Sequence, residues 1–340
     1  MIGAGLTACA TLGWYGQAVS GHLDLLARRE HIADLIHDPD TDPELAARLG
    51  LVLQMREFAV AELGLPDSRS YTRYADIQRE AVTWNVIATP VDSLAPKTWC
   101  YPVAGCLSYR GYFQRERAEA FAAGLAEQGL DVAISPAIAY STLGWFADPV
   151  LNTMLAWDDA RLAGFIFHEL THEKLFVPGE TAFNEAYATA VEREGVRRWL
   201  VARDELDALA AWEQRRVQSA ALVEALLEAR ERLAAIYARP DSLEARLLAK
   251  AEEFERLRAE LRQLAEAMSS AWIARFAERE LNNAHLAQVA TYEAGVGAFE
   301  ALLADCAGDM SCLHRRVSSL AASDSTARQA FLQSVSPVKH

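Results

Sequence analysis

The chain has 340 residues, of which 51% are hydrophobic, and its 47 acidic side chains outnumber the 33 basic ones. This length is sufficient for one large domain or two smaller ones. The resulting formal net charge of −14 argues against a nucleic-acid partner. The sequence also has no apolar run of about 18 residues, the length that a membrane-spanning helix requires.

The N-terminal residues match the lipobox of bacterial lipoproteins, where a signal peptide is cleaved before a cysteine that is then lipidated. Leu6-Thr7-Ala8-Cys9 has this pattern, but the basic start and the long apolar stretch of a signal peptide are missing. Either the start is truncated, or Cys9 is an ordinary residue near the start of a helix. We favour the first interpretation, which predicts a lipid anchor at Cys9 and a location in the bacterial cell envelope or periplasm.

Helical patterns dominate the beginning of the chain. Apolar residues spaced as on one helix face predict a helix over residues 14–37. Asp42-Pro43 is a typical helix start, with aspartate as the N-cap and proline at the first helical position. The helix that it opens is expected to end near Gly64-Leu65-Pro66.

After residue 80 the composition becomes typical of strands, with many β-branched and aromatic residues. A helix is expected at about 114–128. Residues 139–146 are interpreted either as an edge strand that binds a peptide by strand addition or as a plain turn. The predicted strands are 82–88, 97–101, 106–113 and 131–134.

Two consecutive helices are predicted next. Asp158 is a suitable N-cap for the first, at about 159–176, and Pro178-Gly179 ends it. Thr181 can cap the second helix, which is expected to run past Trp199. These two helices carry the residues of the candidate site.

The second half of the chain is rich in alanine, leucine, glutamate and arginine. Apolar residues recur there in steps of three and four on both sides of Arg239-Pro240-Asp241-Ser242. This predicts a helical hairpin over 205–268 with a coiled-coil-like seam. The hairpin could bind a protein partner, or its helices could simply pack against each other. Helices are also expected at 271–292 and 296–304, with a frayed tail from Ser323.

Four cysteines form two pairs with the same spacing, Cys100 with Cys106 and Cys306 with Cys312. We predict two local disulfides, which indicates an oxidising compartment. Four buried thiols are the alternative, because cysteine is often simply buried. A zinc site is disfavoured, since neither pair has the tight spacing typical of thiolate ligands.

The most informative motif is His168-Glu169-Leu170-Thr171-His172. Histidines four residues apart lie one turn apart on a helix, so both imidazoles can bind one metal ion. Glu169 can take a proton from water at the metal, and Glu185 on the next helix can supply the third ligand. The pattern predicts a zinc peptidase with one Zn²⁺ per chain, bound by His168, His172 and Glu185.

Glu180, Glu192 and Glu194 are alternative third ligands. Glu192 and Glu194 lie about two turns beyond Glu185, so only one of these regions can approach the metal. We favour Glu185, and Glu192 could instead accept a hydrogen bond from a metal-bound histidine. A metal-free structural histidine pair is disfavoured, because burying two histidines and a carboxylate would cost several kcal/mol.

The motif and Asn184-Glu185-Ala186 together resemble the gluzincin clan of zinc peptidases, which includes the thermolysin-like enzymes. The resemblance implies the ligand and general-base roles given above. The gap between His172 and Glu185 is shorter than in the thermolysin-like group. Thr189 stands where that group has an acidic residue, so the usual carboxylate partner of a ligand histidine is not expected at that position.

Most of the chain also resembles a bacterial family of predicted aminopeptidases, many of them lipoproteins. The resemblance covers roughly residues 9–320 and implies aminopeptidase activity. The matching stretches are Pro96 to Cys100, Ser108 to Phe113, Tyr140 to Phe146, Asp148 to Thr153, the metal helix, Ala190 to Gly195 and Leu281 to Ala284.

The oxyanion formed in peptide hydrolysis needs a second hydrogen-bond donor besides zinc. The candidates are Tyr292, His285, Tyr187 and Tyr140. Related folds take this donor from sequence beyond the third ligand, which favours Tyr292 and His285 as catalytic residues. An aminopeptidase should also anchor the free α-amine of its substrate with a carboxylate, for which Glu180 or Glu192 is available.

These patterns predict a mainly helical α+β fold, with a zincin-like catalytic core, a small mixed sheet and a long helical hairpin insertion. The expected divisions are 1–13 (signal remnant and linker), 14–200 (catalytic region), 201–270 (hairpin), 271–325 (helices completing the catalytic domain) and 326–340 (flexible tail).

The predicted function is zinc-dependent hydrolysis of peptides by an aminopeptidase. The alternatives are an endopeptidase that uses the same residues and a non-catalytic zinc-containing envelope protein that acts through the 205–268 hairpin. A structural zinc site would close its fourth position with a protein ligand. No additional histidine or cysteine near the motif offers one.

Overall fold

The computed structural model describes residues 20–21, 23–101, 105–139, 147–289 and 295–334. These residues form a mainly helical α+β fold with small sheets, and the predicted fold class is therefore confirmed. Within these ranges, no helix combines the length and the apolar character that crossing a membrane requires.

The helices and strands are numbered in chain order. The strands are β1 (Arg29–His31), β2 (Arg73–Ala75), β3 (Thr83–Pro90), β4 (Trp99–Tyr101), β5 (Gly105–Leu107), β6 (Arg110–Tyr112), β7 (Leu130–Ala137) and β8 (Val150–Leu151). The helices are α1 (Ile32–His37), α2 (Pro43–Ala61), α3 (Arg115–Ala126), α4 (Asn152–Leu155), α5 (Asp159–Lys174), α6 (Thr181–Ala202), α7 (Leu206–Tyr237), α8 (Leu243–Ala267), α9 (Ala271–Ala277), α10 (Asn283–Ala287), α11 (Val296–Asp305), α12 (Met310–Ala321) and α13 (Ser325–Leu332).

The chain divides into two compact units, and the division falls inside α7. The predicted domain boundaries stay a prediction. The first unit comprises Met1–Leu23, Glu80–Ile138 and Glu213–Ala290, and the second comprises Asp24–Arg79, Ala139–Trp212 and Thr291–His340.

A three-stranded antiparallel sheet lies in the first unit, with β3 between β6 and β7. Alternate residues of β3, such as Val86 and Ala88, face α3, where they bury Ala118 and Leu125. The predicted strands 82–88 and 131–134 are thus confirmed, and the predicted strand 106–113 is in fact two strands, β5 and β6. A bend at Ser108 and Tyr109 separates them.

The predicted disulfides are both present. Cys100 and Cys106 face each other across the β4–β5 ladder and are bonded. Cys306 at the end of α11 is bonded to Cys312 in the first turn of α12. Each bridge joins residues six apart, so both are local staples.

The hairpin helices α7 and α8 follow the predicted positions and share an apolar core. The core includes Leu226, Leu233, Leu257 and Leu261, which recur at helical spacing along one face of each helix. The coiled-coil geometry of this seam stays a prediction.

The predicted helix 271–292 is wrong in its continuity. It is interrupted between Ala277 and Asn283. Asn282 accepts hydrogen bonds from the Ala284 and His285 backbone N–H groups and starts a new helix there. Asparagine side chains favour such caps over a helix interior.

The predicted helix 14–37 is wrong at residues 29–31, which lie in the second unit. Residues Arg29–His31 form strand β1, which pairs antiparallel with β2, and β2 pairs parallel with β8. Tertiary pairing overrides the local helical pattern here. The Asp42 cap is confirmed, because its side chain accepts hydrogen bonds from the backbone N–H groups of Glu44 and Leu45.

Helices α11, α12 and α13 end the described chain. Phe299 of α11 packs against Phe183 and Tyr187 of α6. The predicted fraying from Ser323 is wrong as far as Leu332, since Asp324 caps α13 by accepting a hydrogen bond from the Ala327 backbone N–H. Helix α11 therefore packs against α6 through these aromatic side chains.

Some predictions lie outside the described residues. They concern the lipobox at Cys9, most of the 139–146 segment, and the candidate donors Tyr140 and Tyr292.

Candidate metal centre

Helix α5 presents the two motif histidines on one face. It starts as predicted at Asp158, whose side chain accepts a hydrogen bond from the Arg161 backbone N–H. Leu162 and Ile166 are fully buried, which fixes the rotation of the helix. The rings of His168 and His172 follow one turn apart, with centroids separated by 4.8 Å.

Helix α6 starts at Thr181, but Thr181 is not the cap. Glu180 occupies the cap position and makes no side-chain cap bond. The preceding loop is held by Asn184 instead, whose amide donates to the Val177 carbonyl and accepts from the Val177 N–H, both at 2.9 Å. The buried Asn184 therefore fixes the loop between α5 and α6 next to the ligand that follows it.

Two glycines allow α5 and α6 to approach closely. A Cβ on Gly164 would lie 3.3 Å from the Glu192 side chain and 3.2 Å from that of Val196. A Cβ on Gly195 would lie 2.7 Å from the ring of Phe167. Larger residues at these positions would push the helices apart.

The close helices bring three ligand groups together. His168 Nε2 lies 3.1 Å from His172 Nε2 and 3.3 Å from Glu185 Oε2, and His172 Nε2 lies 3.6 Å from Glu185 Oε1. In a tetrahedral zinc site with bonds of about 2.0–2.1 Å, neighbouring ligand atoms are about 3.3 Å apart. The geometry and the donor types of His168, His172 and Glu185 therefore fit zinc.

Glu192 supports the first of these histidines. Its Oε2 accepts a hydrogen bond from His168 Nδ1 at 3.0 Å, which leaves Nε2 facing the other ligands. The carboxylate that Thr189 cannot provide therefore comes from three residues further along α6. His172 Nδ1 is buried and has no partner among the described residues.

The charges of the cluster also suit a cation. Burial opposes protonation of His168, but its hydrogen bonds to Glu185 and Glu192 raise its pKa to about 10. Burial and the neighbouring His168 lower the pKa of His172 to about 4. The hydrogen bond with His168 lowers the pKa of Glu185. Without metal, a protonated His168 balances the negative charge of the neighbouring carboxylates. A bound metal ion would displace this proton.

The sequence also matches the model of a known protein family. The model of the family described as "Putative aminopeptidase" matches residues 13–332. The chain belongs to this family. Membership in this family supports a peptidase-like function. No curated protein and no solved structure is significantly similar to the chain.

In this member of the family, the other candidate carboxylates are already paired. Glu180 accepts a hydrogen bond from the Arg328 guanidinium at 2.8 Å, and Glu194 accepts from Arg197 and Arg198. Glu180 is thus a structural anchor for α13 rather than a free carboxylate. Glu185 is the carboxylate that joins the histidines.

The candidate oxyanion donors have different positions. The Tyr187 side chain is only 1% exposed, and its hydroxyl donates to His314 Nδ1 at 2.6 Å, so it belongs to the core. His285 lies in the first unit, where its Nδ1 accepts a hydrogen bond from the Asn282 N–H in a capping box. Tyr292 lies outside the described residues. The catalytic roles of His285 and Tyr292 stay predictions.

Sequence reasoning did not find the supporting roles of Gly164, Asn184 and Arg328. Gly164 gives a signal, since a glycine in the apolar face of a helix one turn before the motif indicates close helix packing. Asn184 and Arg328 give none, because their partners are set by the tertiary fold.

Proposed function

We propose that the protein is a zinc-dependent peptidase of the gluzincin type that acts as an aminopeptidase. The observation that carries this proposal is the convergence of two histidine nitrogens and one carboxylate within 4.8 Å of one another. Two neutral imidazoles and one carboxylate are the donor set of many catalytic zinc sites.

Zinc held by His168, His172 and Glu185 would act as a Lewis acid on the substrate carbonyl and would lower the pKa of the attacking water. Within the part of the chain that the structure describes, the ligand group has three members, which would leave a coordination position for water or substrate.

The chain's own residues move the protons. The Glu169 carboxylate accepts a proton from the attacking water as the new C–O bond forms. It then delivers this proton to the amine nitrogen as the C–N bond breaks, so the products are a carboxylic acid and an amine. Glu192 keeps the His168 ring oriented throughout by accepting its Nδ1–H.

We also propose an envelope location with a lipid anchor at Cys9. Two local disulfides support the envelope location, because such bridges persist in oxidising compartments and are rare in the cytosol.

The test combines metal analysis with hydrolysis assays of wild type and Glu169→Gln. We expect about one zinc per chain in both proteins, because Glu169 is not a ligand. The variant should lose about 10²- to 10⁴-fold in kcat, the usual contribution of a general base. The control is Glu252→Gln on the exposed side of α8, which should behave as wild type.

Paired substrates decide the kind of peptidase. Peptides with a free α-amine should be cleaved and their N-acetylated counterparts should not. Equal rates on both would show an endopeptidase instead. Stoichiometric zinc without any Glu169-dependent cleavage of a peptide library would leave a non-catalytic zinc protein.

A further inference from the structure

One large apolar side chain beside the candidate metal centre is exposed to solvent. Phe176 follows the end of α5 by two residues, and 45% of its surface is exposed. It is the only exposed phenylalanine among the residues that the structure describes. A single exposed apolar side chain is common on protein surfaces, so the position of Phe176 relative to the candidate site decides whether it can act in binding.

Phe176 lies directly against the candidate site. Its ring contacts that of the ligand His172, with centroids 6.2 Å apart and ring planes at 79°. A peptide whose carbonyl approaches the metal ligands must therefore place some of its atoms near this ring.

The backbone around Phe176 is held in place. The next residue, Val177, has both its N–H and its carbonyl bonded to the buried Asn184 side chain. Further along the same loop, Glu180 is paired with Arg328 of α13. An exposed ring in a restrained loop presents a preformed apolar surface, which binds a partner at a lower entropic cost than a mobile one.

We propose that Phe176 determines specificity by packing against an apolar side chain of the peptide substrate next to the scissile bond. This inference rests on the proposed peptidase function and extends it by naming the substrate class. Contact with an apolar side chain removes the exposed ring from water, whereas a small polar side chain leaves it exposed.

The test uses two free-amine peptides that differ only in the residue beside the scissile bond, leucine or serine. Wild type should favour the leucine peptide. Phe176→Ala should lose about tenfold in kcat/KM on the leucine peptide, mainly through KM, and little on the serine peptide. Phe176→Leu should retain most of the preference. The control is Leu248→Ala, which removes an exposed apolar side chain from α8.

Binding gives a second readout that does not need turnover. In a Glu169→Gln background, Phe176→Ala should raise the Kd of the leucine peptide by a similar factor in calorimetry. Zinc content should be unchanged in every variant.

The outcomes separate this inference from the proposed function. If wild type binds and cleaves neither peptide, both proposals fail. If wild type cleaves peptides but Phe176→Ala keeps the leucine preference, or loses both substrates equally, only the role of Phe176 is overturned. Loss of zinc in Phe176→Ala would overturn it as well, since the ring would then act on His172.

Discussion

Two pairs of consecutive helices in this chain differ in what they bury. Helices α7 and α8 share a leucine-rich core, and ion pairs join the two helices beside it. Arg232 donates to Glu253 and Glu260, both at 2.7 Å. Helices α5 and α6 instead turn His168, His172 and Glu185 towards one another.

The difference separates a structural pair from a functional one. Each carboxylate on Arg232 meets an opposite charge, so neither of them needs a bound cation. The three ligands of the other pair place acceptor atoms against acceptor atoms, which is unfavourable unless a proton or a cation lies between them. A pair of this kind gains stability when it binds a cation.

The largest expected difference between the two helix pairs is their response to added zinc. Zinc at about 1,000 times its Kd should stabilise the folded state by about 4 kcal/mol, because it binds the folded site and not the unfolded chain. The measurement is the thermal midpoint of metal-free protein with and without zinc. In Glu185→Gln the midpoint should not move, and an undiminished shift in that variant would show that the zinc binds elsewhere.

A core truncation in the hairpin should have the opposite pattern. Leu257 is fully buried in the hairpin core, and Leu257→Ala should reduce the free energy of unfolding by about 3 kcal/mol through lost burial and a cavity. Denaturant titration measures this loss. Zinc affinity should stay at the wild-type value, and a tenfold weaker affinity would contradict the independence of the two helix pairs.

The smallest expected effect concerns Glu192, which supports a ligand of the helix pair α5 and α6. Glu192→Gln replaces the charged acceptor of His168 Nδ1 with a neutral amide. Zinc affinity should fall by about 10- to 100-fold, as is usual when such a supporting carboxylate is lost. Competition with a chelator of known affinity measures it, with Glu252→Gln as control. An unchanged affinity would show that Glu192 does not orient the ligand.

The sequence predicts the parts of the site that depend on local periodicity. His168 and His172 share a face because four residues make about one helical turn. Asp158 caps their helix because an aspartate side chain can accept a hydrogen bond from a backbone N–H in the first turn. Glu185 follows because the next helix begins after a short loop. The sequence leaves two roles open for Glu192, as a metal ligand or as the hydrogen-bond partner of a ligand histidine. The packing of α6 on α5 favours the second role.

Features that depend on distant partners are not predictable in this way. Arg29–His31 has a helical neighbourhood, yet it pairs with a strand that starts at Arg73. The hydroxyl of Tyr187 meets His314, which is 127 residues away. Nothing near either residue in the sequence specifies its partner, because the tertiary fold decides such contacts.

The two disulfides have a practical consequence. Each closes a loop between cysteines only six positions apart. A loop this short removes little freedom from the unfolded chain, so each bridge contributes about 2 kcal/mol in the chain-entropy account. Two such bridges together contribute about 4 kcal/mol, a large share of the about 5–15 kcal/mol by which folded domains are stable. Protein for zinc titrations should therefore be produced in an oxidising compartment, where both bridges form.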